Sequence, residues 1–250
     1  MSVFFGSHQG FGWIFMWLTA AFKRSAAWNL PISSHDARAM IRTSTLSLEA
    51  WSGDNNFDYS STAGWESYYT KDQIKIPLTE WHSSVTLESL ANHVPAWASS
   101  CLMIGCGTSH FPEVVRAGHT AKIVLLDSSP TCIRELKSRY GCSMCCICGD
   151  ATRLSELVEP DSMDCIFDKG LMDAFFCGDG WTTPTEALLK GASSVLREGG
   201  IYLLVSYRLS ASSKEFLESV GNQVGLDWKF DCTGSNERVG ISIATKLNRL

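Results

Sequence analysis

Short apolar runs alternate with amphipathic segments through the middle of the chain. Five of these runs predict strands, at Cys101–Ile104, Lys122–Leu126, Ser143–Gly149, Met163–Phe167 and Ile201–Val205. Uninterrupted apolar runs suit strands that are covered on both faces, and alternation of strands with helices is typical of a parallel sheet. Two further strand patterns, Leu226–Cys232 and Arg238–Lys246, flank a polar turn and predict an antiparallel hairpin. We therefore predict an α/β fold with a Rossmann-like, seven-stranded sheet, mostly parallel and closed by this hairpin.

Helix signals lie before and between the strands. Apolar spacing predicts a helix over Ser84–Val94, which Pro95 ends. After the second strand, Ser129 as a cap, Pro130 in the first turn and Gly141 as a stop predict a well-defined helix.

Two later helices begin with a capping-box pattern, in which a hydroxyl residue precedes a Glu by three positions. The pattern occurs in Thr183–Glu186, which predicts a helix through Leu196, and again in Ser212–Glu215. Both helices are expected to cover the sheet.

The length and charge of the chain limit the function classes. A chain of 250 residues is long enough for one α/β domain, which we place at residues 49–250. A net charge of −5 argues against general nucleic-acid binding, which needs a basic surface.

Residues 1–48 form a leader of different composition. No acidic residue precedes Asp36, and serines, arginines and aromatic residues are frequent. This composition resembles organelle transit peptides, so a mitochondrial location is one expectation and a cytoplasmic one, with an untargeted extension, is the other. The apolar run Phe11–Phe22 is short for a bilayer span, and we expect no stable membrane insertion.

Ten cysteines raise the question of a disulfide framework or a metal site. A chain of this size does not need disulfides to form a core, so reduced thiols are expected. The tightest group is Cys142, Cys145, Cys146 and Cys148, but neighbouring side chains on a strand point to opposite faces and do not converge on one ion. We therefore predict no metal.

The first predicted strand runs directly into a turn with two glycines, Gly105 and Gly107. Glycines let the backbone turn sharply and approach a ligand closely. The second strand ends in Asp127, where folds of this kind place an acid that binds ribose hydroxyls. His110 and Phe111 stand where a dinucleotide site has its third glycine, and no phosphate-binding Gly-Lys-Ser/Thr is present. A cofactor with ribose and adenine but no phosphate fits this pattern, and S-adenosylmethionine is such a cofactor.

Acids also end the third and fourth strands. Asp150 follows the third strand, where it would either accept the adenine amino group or cap the helix expected over Thr152–Leu157. Asp168 follows the fourth strand, and ligands of open α/β sheets bind at these carboxyl ends. With Asp127, this makes a series of three strand-end acids.

Three motifs resemble those of one family. Leu102–Ser109 is similar to the Gly-Cys-Gly-Asn-Ser form of the first methyltransferase motif, Trp65–Tyr69 resembles a Tyr-Trp-Asp-x-x-Tyr element, and Asp168–Ala174 resembles an Asp-Lys-Gly-Thr-Leu-Asp-Ala signature. The family that they resemble is the seven-β-strand protein-lysine methyltransferases, the group with the elongation-factor 1A and citrate synthase enzymes. The resemblance covers about residues 60–245.

The resemblance implies both the cofactor and the site. The implied cofactor is S-adenosylmethionine, and the implied partner is a protein that presents a lysine. Asp168, Lys169 and Asp173 would border the transfer site. The implied cofactor-binding residues are Trp65, Tyr69, Gly105, Cys106, Gly107, Asp127, Ser128, Asp150, Ala151 and Asp168.

Two other functions remain open at this stage. A small-molecule methyltransferase would carry the same cofactor motifs, and a non-catalytic binding protein can keep the same fold. The Asn/Asp-Pro-Pro-Tyr run that serves methylation of planar amide or base nitrogens in related enzymes is absent after the fourth strand, which argues against acceptors of that kind.

Overall fold

The structure is a computed structural model, and it describes residues 57–71, 80–118 and 122–248. The predicted leader, residues 1–48, lies outside the described residues. The helices of the described chain are α1 (Thr62–Lys71), α2 (Leu87–Ala91), α3 (Phe111–Gly118), α4 (Pro130–Tyr140), α5 (Leu154–Leu157), α6 (Leu171–Phe176), α7 (Thr182–Val195) and α8 (Ala211–Val224). The strands are β1 (Ser100–Ile104), β2 (Lys122–Asp127), β3 (Cys145–Cys148), β4 (Met163–Lys169), β5 (Leu196–Tyr207), β6 (Leu226–Lys229) and β7 (Val239–Lys246).

The strands form one seven-stranded sheet in the order β3-β2-β1-β4-β5-β7-β6. Strands β1 to β5 are parallel, and β7 runs antiparallel between β5 and β6. The predicted fold class, the mostly parallel sheet and the C-terminal antiparallel pair are confirmed. The strand order reverses beside β1, and this is where an open α/β sheet forms its ligand crevice.

Helices cover both faces of the sheet, and β1 shows how one apolar run serves two cores. Cys101 and Met103 pack into the core beneath α1 to α4, whereas Leu102 and Ile104 pack into the core beneath α5, α7 and α8. All five residues of β1 are buried. An alternating polar pattern would place polar groups in one of the two cores, so the run must be apolar throughout.

One helix prediction was wrong in its bounds, and another was right in its bounds to within one residue but wrong in its cap. The helix predicted over Ser84–Val94 is limited to α2, because Thr86 caps it by accepting a hydrogen bond from the Ser89 amide at 3.2 Å. The predicted capping box at Thr183–Glu186 does not form: α7 is preceded by Trp181, whose carbonyl accepts the Thr185 hydroxyl at 2.7 Å.

The last helix also begins differently from the prediction. Ser210, two residues before the predicted capping box at Ser212–Glu215, caps α8 and accepts from the Ser213 amide at 3.0 Å. The cap that was predicted at Ser129, with Pro130 behind it, is confirmed, and Gly141 ends α4 with a positive φ of 55°.

The third strand differs most from its prediction. It was expected over Ser143–Gly149 as a buried strand, but β3 spans four residues, and each is exposed or half-buried. The reason is its place at the edge of the sheet, where only β2 pairs with it. A short 3₁₀ turn, Gly141–Ser143, takes the residues that precede it.

Candidate active site

One pocket opens at the carboxyl ends of β1, β2 and β4. Its wall on the sheet side comes from the loops after these strands and after β3. Its opposite wall comes from an N-terminal cover, by which we mean residues 57–71 and 80–82. The predicted site residues that line the pocket are Trp65, Tyr69, Gly105, Cys106, Gly107, Asp127, Ser128, Asp150, Ala151, Lys169 and Asp173.

The turn after β1 brings the backbone into the pocket. Gly105 and Gly107 have φ values of 53° and 52°, in the left-handed region that favours glycine. A Cβ added at Gly107 would lie 2.8 Å from the Tyr69 hydroxyl oxygen. The lack of a side chain therefore keeps this part of the pocket open.

Asp127 fixes the shape of that turn from the end of β2. Its Oδ2 accepts a hydrogen bond from the Gly107 amide at 2.9 Å, and its Oδ1 accepts from the Ser129 amide at 2.9 Å. The residue is 6% exposed, and burial raises the pKa of its carboxyl group. Asp127 and Ser128 both line the pocket, and each carboxylate oxygen can accept a further hydrogen bond, which suits binding of ribose hydroxyls.

The loop after β3 supplies the next part of the wall. Asp150 Oδ1 accepts from the Thr152 amide at 2.9 Å and thereby caps the turn that begins with Ala151. Asp150 also lines the pocket. The predicted cap is therefore confirmed, and the contact with the adenine amino group stays a prediction.

Aromatic rings of the cover close the pocket opposite the glycine turn. Trp65 packs edge to face on Trp81, with ring centroids 5.6 Å apart, and its Nε1 donates to the Tyr59 carbonyl at 2.8 Å. Tyr69 is buried, and burial raises the pKa of its hydroxyl well above its ordinary value. These rings give the pocket an aromatic wall on the side of the cover.

Asp168, the predicted reaction-centre acid, lies beneath the pocket wall. It is 0% exposed and is not among the described residues that line the pocket. Its Oδ1 accepts from the amides of Leu171 and Met172 at 2.9 and 3.3 Å, and its Oδ2 accepts the Tyr202 hydroxyl at 2.7 Å. Burial raises the pKa of Asp168 to about 7. The geometry gives it the role of shaping the loop into α6.

Lys169, the next residue along β4, lines the pocket, but its ammonium group is bound by residues of the cover. Its Nζ lies 3.0 Å from Glu80 Oε2 and 3.0 Å from the Trp81 carbonyl oxygen. Burial lowers the pKa of Lys169, and Glu80 opposes that shift. Glu80 also accepts from the Ser109 hydroxyl at 2.8 Å and the His110 amide at 2.6 Å, so one carboxylate joins the cover to the loops after β1 and β4.

Asp173 places a carboxylate directly on the pocket wall. Its Oδ1 accepts from the Tyr207 amide at 3.1 Å, and its Oδ2 lies 2.8 Å from His82 Nε2. Among the described residues that line the pocket, it is the carboxylate at the β4 and β5 side, away from Asp127 and Asp150.

The residues present fit S-adenosylmethionine. The glycine turn, Asp127 and the aromatic cover offer a close backbone, a ribose acceptor and apolar surfaces. Lys169 is the one lysine or arginine among the described residues that line the pocket, and its charge is already paired with Glu80. A cofactor that needs a cation for its phosphates would not find one free here.

A comparison with protein families finds a match within the sheet. Residues 101–200, from β1 into β5, match the sequence model of a family described as a methyltransferase domain, and this stretch of the chain is similar to that family. The seven-stranded sheet has the class I fold of S-adenosylmethionine-dependent methyltransferases. The match, together with the residues of the pocket, indicates S-adenosylmethionine as the cofactor.

Solved structures share the fold at low sequence identity. A TehB-like S-adenosylmethionine-dependent methyltransferase from Corynebacterium glutamicum is 16% identical, covers 85% of this chain and 97% of its own, and has a TM-score of 0.50. The YcgJ protein of Bacillus subtilis is 12% identical, covers 65% of this chain and 98% of its own, and has a TM-score of 0.52. The CurJ carbon methyltransferase is 12% identical and has a TM-score of 0.52, and the match covers 84% of this chain and 63% of the CurJ chain. No curated protein matches the chain.

Sequence reasoning missed the residues that hold the cover in place. Glu66 accepts hydrogen bonds from the Thr131 amide at 3.2 Å and the Thr131 hydroxyl at 2.6 Å, as well as from the Ser129 hydroxyl. Glu80 and His82 make the contacts described above. The polar stretch around Trp65 was the available signal, but nothing in it indicates which partners these groups find.

Within the part of the chain that the structure describes, no helix has the length and apolar character needed to cross a membrane.

Proposed function

We propose that the protein transfers methyl groups from S-adenosylmethionine to a lysine side chain of a protein substrate. The observation that carries this proposal is the Asp173 carboxylate, which lines the same pocket as the glycine turn and is held by His82 and the Tyr207 amide. A carboxylate at that place suits an acceptor that arrives as an ammonium ion. The similarity of Asp168–Ala174 to the lysine methyltransferase signature supports the same acceptor.

The chemistry sets two requirements for these residues. S-adenosylmethionine, when bound, supplies a methyl group whose carbon–sulfur bond breaks toward sulfur as the lone pair of the acceptor nitrogen forms the new bond. Lysine is almost fully protonated at neutral pH, so the ammonium must lose a proton before its nitrogen can react. Asp173 would orient the ammonium by charge-assisted hydrogen bonds, and solvent would take the proton. Trp65 and Trp81 would then exclude water from the amine.

The test follows labelled methyl groups from S-adenosylmethionine into protein. The full chain is incubated with a heat-treated extract of the cells that make it, and labelled protein bands are hydrolysed to identify methyl-lysine. The proposal expects label in at least one band as methyl-lysine. Binding of S-adenosylhomocysteine without label in protein, together with label in the small-molecule fraction, would contradict it in favour of a small-molecule acceptor.

A pair of glycine variants makes the control specific. Gly107→Ala places a side chain at a positive φ and against the Tyr69 hydroxyl, so we expect a fall of about 100-fold in S-adenosylhomocysteine affinity, measured by calorimetry, and a matching loss of label. Gly118→Ala adds the same methyl group where no atom of the described residues lies within 4 Å, and it should retain both the affinity and the label. Binding without change in Gly107→Ala would place the cofactor elsewhere.

A further inference from the structure

His82 supports the acceptor side of the pocket from behind Asp173. Its Nε2 lies 2.8 Å from Asp173 Oδ2, and the two side chains are 1% and 9% exposed. The imidazole ring also packs edge to face on the Tyr207 ring, with centroids 4.8 Å apart, while the Tyr207 amide donates to Asp173 Oδ1. The carboxylate is therefore held from two sides, and its orientation is set by both.

Two features of His82 are energetically unfavourable. Its backbone has a φ of 59°, in the left-handed region that is unfavourable for residues other than glycine. Its Nδ1 is buried and finds no hydrogen-bond partner among the described residues. Buried polar atoms are nearly always paired, so an unpaired ring nitrogen points to a requirement elsewhere on the same ring. The contact of Nε2 with Asp173 is that requirement.

The other carboxylates near the pocket do not fit the acceptor role as well. Both oxygens of Asp168 are engaged by buried donors, and the residue is 0% exposed. Asp127 and Asp150 lie at the ends of β2 and β3, on the side of the ribose and adenine. Asp173 combines access to the pocket with a fixed orientation, and His82 supplies half of that orientation.

We propose that His82 is a positioning residue for methyl transfer, which donates from Nε2 to Asp173 and fixes the carboxylate against the acceptor ammonium. The inference rests on the proposed function, because it assumes an amine acceptor. A carboxylate only accepts hydrogen bonds, so Nε2 carries the proton in this arrangement. Without that donor the carboxylate can rotate away from the reacting nitrogen, and a misplacement of about 1 Å is enough to cost about 100-fold in rate.

The experiment is a double-mutant cycle on initial rates of methyl-lysine formation in the extract assay above. His82→Ala removes the donor and leaves a non-glycine residue at the same positive φ, and we expect a rate about 100-fold lower. His82→Gln, which retains an N–H donor of similar reach, should recover most of the rate. Adding His82→Ala to Asp173→Asn should cause little further loss, because the two residues act as one unit. Additive losses would overturn the proposal.

Two readouts separate positioning from folding. The affinity for S-adenosylhomocysteine, measured by calorimetry, should stay within about twofold in His82→Ala, since His82 does not touch the cofactor side. Nitrogen-15 NMR of histidine-labelled full chain should show one ring with its proton on Nε2, a signal lost in His82→Gln and shifted in Asp173→Asn. A proton on Nδ1 instead, or a parallel collapse of cofactor affinity, would contradict the positioning role.

The experiment distinguishes a failure of the proposed function from a failure of the role proposed for His82. If the unmodified chain labels no lysine, the proposed function fails before the variants are compared. If it labels lysine and the losses of His82→Ala and Asp173→Asn add, the proposed function stands and the role of His82 fails.

Discussion

Two sets of carboxylates surround the same pocket, and their environments shift their pKa values in opposite directions. On the strand ends, burial raises the pKa of both Asp127 and Asp168. On the cover, burial also acts to raise the pKa of Glu66 and Glu80, but hydrogen bonds, and for Glu80 the charge of Lys169, outweigh it and leave both pKa values lowered.

The direction of the pKa shift separates carboxylates that stabilise the folded state from carboxylates that destabilise it. A carboxyl group whose pKa is lowered on folding stabilises the protein when ionised, whereas one whose pKa is raised destabilises it. The ionised Glu66 and Glu80 carboxylates therefore stabilise the attachment of the cover to the rest of the domain. The strand ends instead retain theirs at a cost, which is typical of residues selected for a site.

The largest effect that tests this comparison is at Asp168. Folding raises its pKa from 3.8 to about 7, so the folded state binds a proton more tightly, and the free energy of unfolding falls as pH rises through this interval. Asp168→Asn removes the titration but keeps an oxygen for the Leu171 amide. Between about pH 5 and about pH 8 the unmodified chain should lose about 3 kcal/mol relative to the variant, measured by urea unfolding.

Asp164, at the opposite end of β4, is the matched control. Burial acts to raise the pKa of its carboxyl group, but hydrogen bonds from Ser99 and Ser100 and the charge of Arg197 leave it lowered. Asp164→Asn should therefore destabilise the protein at neutral pH. If Asp168→Asn behaves like Asp164→Asn, the contrast between the two sets of carboxylates is wrong.

The second effect in size is expected at Glu80. Glu80→Gln leaves the Lys169 ammonium, whose side chain is 8% exposed, without its counter-charge. Because Glu80 is partly exposed, the cost lies between that of a buried and that of a surface pair, and the free energy of unfolding should fall by about 2 kcal/mol. The double variant Glu80→Gln/Lys169→Met removes both charges and should recover most of this loss. Urea unfolding of the three proteins measures both values. Equal stability of the single and double variants would mean that the ion pair does not hold the cover.

The strand-end residues could be predicted from the sequence because each of them lies just after the end of an apolar run. Gly105, Gly107, Asp127, Asp150 and Lys169 all line the pocket as their positions after β1 to β4 indicate. Asp168 has the same local signal, yet whether a strand-end acid faces the pocket or the core depends on the loop that follows, and here the amides of α6 turn it inward.

The contacts of the cover could not be predicted, because their partners are distant in sequence. Glu66 bonds to a residue 63 positions away, Glu80 to one 89 positions away and His82 to one 91 positions away. No periodicity or motif spacing encodes such pairs. The edge position of β3 is a similar case, since its apolar run looks like that of a central strand until the strand order is known.

The smallest effect concerns the attachment of α1. Glu66 accepts three hydrogen bonds at the start of α4, from the Ser129 hydroxyl and from the amide and hydroxyl of Thr131. Glu66→Gln keeps one acceptor oxygen and loses the charge, so we expect a loss of about 1 kcal/mol in the free energy of unfolding. Glu88→Gln, an exposed change in α2, should alter stability by less than about 0.5 kcal/mol. Because α1 carries Trp65 and Tyr69, Glu66→Gln should also weaken S-adenosylhomocysteine binding in calorimetry, which an attachment without a role in the site would leave unchanged.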